Sequence, residues 1–169
     1  MNKKLLLITI IFVLLIGCTK KEQSDAIKFK EEYEKYNNTK IKLNISEDNI
    51  IKYATKKEIK EIIKNKSGVI FIGDPQDNLS RVAIKCLLNA SESTDLQQIY
   101  YTKDTTNIEE IENTKTPIVI YVLEGKIVST HNGTIKDKTK LSEDEEIELY
   151  NIYMDGIHKV LQDACDEEC

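Results

Sequence analysis

Several common chemistries are missing from this 169-residue chain before any motif is sought. It has only two histidines, His131 and His158, far apart and without a cysteine or serine motif beside either. That removes the usual pairing of an imidazole with a nucleophile. Metal-ligand spacing is also lacking: Cys165 and Cys169, with Asp166, Glu167 and Glu168, make an incomplete zinc set. The acidic stretch from Glu143 to Glu148 has neither the spacing nor the glycine of a calcium loop and suits a helix start instead. There is no basic excess, since 24 Lys and Arg face 29 Asp and Glu, so nucleic acid is not an expected partner. Nor does any apolar run reach the roughly twenty residues that a membrane-spanning helix needs.

What is present begins with Lys3 and Lys4, followed by an apolar segment from Leu5 to Ile16, broken only by Thr9, and then by Gly17 and Cys18. This is the pattern of a secretory signal. Its ending, Leu15-Ile16-Gly17-Cys18, resembles the bacterial lipobox, which implies palmitate-class acylation of the Cys18 thiol and cleavage before it. Two or three acyl chains anchor a protein firmly where one does not. An uncleaved apolar anchor with an incidental cysteine is the plainer alternative. On the first reading, residues 1–17 are a lipoprotein signal peptide and the protein is lipid-anchored on the extracytoplasmic face of the cell membrane. Removing them takes away two lysines and leaves 152 residues, with 22 basic against 29 acidic and a net charge of −7. Export also makes a disulfide between Cys165 and Cys169 chemically accessible, with free thiols or a metal or redox role as alternatives. A bridge closing so short a loop stabilises little. Cys86, inside an apolar helical stretch, reads as a small buried hydrophobe.

Residues 18–48 are polar and read as a tether followed by a short helix over Asp25 to Tyr36, or as a stalk throughout. Residues 49–169 read as one α/β domain. Ile50 to Ala54 is a short strand; Thr55 and Glu58 spell a capping box for a helix with Ile59, Ile62 and Ile63 on one face. Val69 to Ile72 is continuously apolar, as for a central strand covered on both sides. Gly73 to Pro75 end it, and a helix follows from about Asn78 to Ala90. Gln98 to Thr102 is a third strand, and a turn or short helix falls around Ile108 to Ile111. Pro117 to Leu123 and Ile127 to Thr130 form a hairpin around Glu124-Gly125-Lys126. Ser142 and Glu145 spell a second capping box, opening a long C-terminal helix whose predicted apolar stripe is Ile147, Tyr150, Met154, Ile157, Leu161 and Ala164. Gly156 is expected to weaken that helix by up to about 1 kcal/mol.

This order of elements, with Thr116-Pro117 opening the penultimate strand, resembles the thioredoxin fold: a central mixed sheet flanked by helices, with a long C-terminal helix. The resemblance implies that the Thr116-Pro117 bond is cis and faces the active-site turn. A closer similarity is to small exported thioredoxin-like proteins of Gram-positive bacteria, the bacteriocin-transport accessory proteins, whose turn reads Gly-aromatic-Pro-x-Cys-Pro-x-Cys-Arg. Here Gly73, Pro75 and Arg81 match, but Asp77 and Ser80 stand where both cysteines belong, with Asn78 and Leu79 between them.

Thiol exchange needs a thiolate and a resolving thiol, and neither Asp77 nor Ser80 supplies one. The expectation is therefore a redox-inactive binding protein rather than an enzyme. It would have no cofactor or metal, and would hold a peptide or protein in the groove around Asp77 to Arg81 and Pro117. The alternative is a thiol-disulfide oxidoreductase using Cys165 and Cys169 as a relocated dithiol; a third reading is a structural subunit of an export machine.

Overall fold

The computed structural model describes residues 23–38, 41–105, 108–109, 111, 115–136 and 138–161. Among them are strands β1 (Ile51–Tyr53), β2 (Gly68–Ile72), β3 (Ile99–Thr102), β4 (Ile118–Leu123) and β5 (Lys126–His131), and helices α1 (Asp25–Glu34), α2 (Lys56–Asn65), α3 (Asn78–Ser91) and α4 (Glu143–Leu161). The strands form one mixed sheet in the order β1-β3-β2-β4-β5. β3 runs parallel to both its neighbours, whereas β4 is antiparallel to β2 and to β5.

The period-two pleat divides the core in two. Val69 and Phe71 of β2, with Ile99 and Tyr101 of β3 and Val119 and Tyr121 of β4, face α1, α3 and α4. Ile70, Ile72, Ile118, Ile120 and Val122 face α2, whose Ile59, Ile62 and Ile63 complete that layer with Ile108 and Ile111. Central β2 is buried along its whole length, which is why its sequence is apolar without alternation. The Thr55 capping box is formed in both directions: the Glu58 N–H donates to Thr55 Oγ1 at 3.3 Å and the Thr55 N–H to Glu58 Oε2 at 2.8 Å. Ser142 and Glu145 repeat the arrangement at the start of α4. The β4–β5 turn is docked on the end of α2, the Gly125 N–H donating to Lys66 O and the Glu124 N–H to Ser67 Oγ, each at 2.9 Å.

Helix α1 precedes residue 49, yet it belongs to the same core. Phe29 and Tyr33 are wholly buried, and Phe29, Tyr33, Tyr53 and Phe71 all pack around the Tyr101 ring. Glu32 accepts from the Tyr53 hydroxyl and pairs with Lys103. The outward amides of edge strand β1 are also occupied: the Ile51 N–H donates to Asn49 Oδ1 at 3.1 Å and the Tyr53 N–H to Asp25 Oδ2 at 3.1 Å. At the other edge, Tyr121 pairs with Ser129 and Val122 with Ile127, leaving Val128 as an extra, bulged residue.

The buried stripe of α4 is centred beside the expected one, with Ile157 common to both and Tyr150, Met154 and Leu161 half-buried against the core, while Ala164 lies outside the described residues. Leu149, Tyr153, Gly156, Ile157 and Val160 face the core, while Ile147 is 53% exposed. The reason is Gly156. A Cβ there would lie 2.3 Å from Tyr121 Cζ, so the face carrying the glycine is the one that can approach the sheet closely enough to seat that ring. The residue read as a weakness is the notch on which the helix docks.

Candidate functional site

The turn between β2 and α3 is closed by its own side chains. Asp77 is the N-cap of α3, its Oδ1 accepting from the Leu79 N–H at 3.2 Å and its Oδ2 from the Ser80 N–H at 2.8 Å. The Ser80 hydroxyl donates to the same Oδ2 at 2.8 Å and accepts from the Asp74 N–H at 3.1 Å. Asp74 in turn accepts from the Gln76 N–H through Oδ1, at 2.9 Å. A carboxylate suits this position because the first amides of a helix lack intrahelical acceptors and carry its positive end. Ser80 is wholly buried, whereas Asp77, Asn78 and Leu79 are half-buried.

Arg81 faces inward as well, with no exposed surface. Its Nη1 donates to Tyr33 O at 2.6 Å and Pro75 O at 3.1 Å, its Nε to Ile41 O at 2.8 Å, and its Nη2 to Asn37 Oδ1 at 2.6 Å. All four acceptors are neutral, and burial lowers the guanidinium pKa from its ordinary value. The planar fork of arginine, and not lysine, can reach acceptors on α1, the turn and the following segment together. Of the five turn residues expected to line a groove, Ser80 and Arg81 therefore serve the interior. Gln76 also ties the turn to the residues just after α1, its Nε2 donating to the Tyr36 hydroxyl at 3.0 Å.

The Thr116–Pro117 bond is cis, with Pro117 buried and Thr116 exposed. Pro117 packs beside Gly133: a Cβ on Gly133 would come within 2.7 Å of Pro117 Cγ and 3.0 Å of Ala83 Cβ on α3, and the glycine's φ is +73°. Only glycine meets both demands. The Gly133 N–H donates to His131 Nδ1 at 3.2 Å, and Gly133 O accepts from the Tyr153 hydroxyl at 2.8 Å. His131 thus carries its ring proton on Nε2 when neutral, and burial lowers its pKa from 6.5. Sequence reasoning did not select Gly133, though its place in Thr130-His131-Asn132-Gly133 at a strand end marks a turn.

Cys18, Cys165 and Cys169 lie outside the described residues. Cys86 is buried, and loss of hydration, with Glu146 nearby, pushes its thiol up to about 11. It is protonated at neutral pH and a poor nucleophile. His158 is exposed on α4, and His131 ends β5. Among the described residues no cluster of three or more His, Cys, Asp or Glu could hold a metal ion, and no helix is long and apolar enough to cross a membrane.

No protein-family model matches the chain, and no curated protein matches it.

Proposed function

We propose that this chain is a membrane-anchored, redox-inactive thioredoxin-like protein that binds a peptide or protein partner at the cell surface through the face formed by Thr116-Pro117, Gly133 and the exposed rim of the Asp77 turn. The strand order and the approach of Pro117 to α3 support the thioredoxin-like frame. The lipobox spelling at Cys18 supports the anchor.

The observation that carries the non-catalytic reading is the Asp77–Ser80 pair. Two groups that satisfy each other's hydrogen bonds occupy the positions from which a dithiol would act, and an alcohol and a carboxylate cannot form or resolve a mixed disulfide. Binding is supported by Asn78 Oδ1 and Thr134 Oγ1, two of the four buried side-chain atoms with no hydrogen-bond partner among the described residues; the other two are the Tyr33 and Tyr121 hydroxyls in the core. Asn78 opens α3 beside Asp77 and Thr134 follows Gly133, and a buried polar atom without a protein partner is open to one from a ligand or water.

Insulin-disulfide reduction by the mature chain, alone and as Cys165→Ser, tests the first half; no turnover above background is expected from either. Turnover that disappears in Cys165→Ser would transfer the function to the C-terminal thiols. Co-purification from membranes tests the second half, with Thr116→Lys expected to lower partner recovery. Unchanged recovery would remove the Pro117 face from consideration.

A further inference from the structure

A separate feature runs along α3, away from the Asp77 turn. From Lys42 to Ser46 the chain is extended and alternates in burial, with Leu43 and Ile45 in the core and Lys42, Asn44 and Ser46 exposed. In such a segment the N–H and C=O of successive residues point to opposite edges. The edge belonging to Leu43 and Ile45 is occupied by α1 and the residues just after it. Asn37 accepts from the Leu43 N–H at 2.8 Å and donates to Leu43 O at 2.7 Å. Glu34 accepts from the Ile45 N–H at 2.9 Å, and Lys30 donates to Ile45 O at 2.8 Å. Side chains here imitate a neighbouring strand.

The opposite edge has no such neighbour. The main-chain groups of Lys42 and Asn44 make no hydrogen bond among the described residues. They border a cleft of about 270 Å³ whose far wall is Ile84, Lys85, Leu88 and Glu92 of α3. A second cleft of about 260 Å³ continues it from Ser46 towards Leu96. The two walls run side by side over the same distance: the extended step from Ile41 to Ser46 and the helical rise from Arg81 to Glu92 are each about 16 Å. The Arg81 Nε bond to Ile41 O at 2.8 Å pins them at one end.

We propose that this edge is a strand-addition site for an extended peptide, whose main chain pairs with Lys42 and Asn44 while an aliphatic side chain packs on the half-buried Leu88 of α3, Ile84 being wholly buried. Unpaired backbone groups select an extended polypeptide over a compact small molecule. The rim carries Lys42 and Lys85 against Asp48 and Glu92, so backbone shape selects the partner and net charge does not. The site shares no residue with the Pro117 face, so its test and the preceding one fail independently.

The experiment titrates the isotope-labelled mature chain with an end-blocked peptide of alternating threonine and valine and reads amide exchange. Exchange at Lys42 and Asn44 is expected to slow about tenfold, with Leu43 and Ile45 unchanged because they are already paired. Asn44→Pro, which deletes a donor on the open edge, is expected to weaken binding about tenfold. Leu88→Lys provides a second loss variant should Asn44→Pro unfold, and Lys60→Ala, on the exposed face of α2, should bind as the parent does. Absence of binding, protection confined to the Pro117 and Gly133 region, or a peptide-independent dimer protecting the same amides would each overturn the proposal.

Discussion

Arg81 on α3 and Tyr33 on α1 are joined by a 2.6 Å hydrogen bond from Nη1 to the main-chain carbonyl, across 48 residues of sequence. Through this bond and its companions to Ile41 O, Pro75 O and Asn37 Oδ1, one buried side chain holds the N-terminal helix against the turn. Replacing it leaves buried acceptors unpaired. Arg81→Lys should cost about 3 kcal/mol or more, because an ammonium cannot span acceptors on three segments. Urea unfolding measures the loss, and limited proteolysis should cut between α1 and β1 in the variant before the parent is touched.

Asp77 caps α3 and also receives the Ser80 hydroxyl. Asp77→Ala should therefore destabilise by about 1–2 kcal/mol, the upper part of the range for losing an N-cap, whereas Asp77→Asn should retain most of it. Thermal melts of both variants distinguish the cap from charge alone.

At Gly156 two effects oppose each other. Alanine favours a helix interior over glycine by up to about 1 kcal/mol. Its Cβ, however, would sit 2.3 Å from the wholly buried Tyr121 ring, which has no room to retreat. Overpacking of this kind costs about 1–3 kcal/mol, so Gly156→Ala should be destabilising on balance, as denaturant midpoints will report.

His131 gives the fold a pH dependence of definite sign. Its pKa is below 6.5 when folded, so the unfolded chain binds the extra proton first. The contribution is complete above pH 6.5 and is lost as pH falls below that value towards the folded pKa. Protonation also puts a hydrogen on the Nδ1 that accepts from Gly133. In His131→Gln the slope of stability against pH in this window should flatten.

Much of the sheet and its helices is readable because local chemistry and burial agree there. Thr55 with Glu58 and Ser142 with Glu145 make the bonds their spacing promises. The continuous apolar run Val69–Ile72 and the helical face around Ala83 and Leu87 each leave one reading open. The N-terminal helix is harder to read. Its charged residues Lys30 and Glu34 resemble a solvated surface but hold the backbone of Ile45. Arg81 misleads in the same way, since a lone arginine after a turn gives no sign that four neutral acceptors from distant segments will converge on it. In α4 the apolar residues spread over a broad face, and the Tyr121 ring seated at Gly156 marks the line of closest approach within it. Such information lies in tertiary contact, beyond the reach of periodicity.

The two rims of the sheet have a consequence for life at high local concentration. Outward amides of β1 are consumed by Asn49 and Asp25, and the kink at Val128 spoils the straight ladder that another copy would need along β5. Neighbouring molecules crowded together are thereby denied the self-templating that turns open sheets into fibrils.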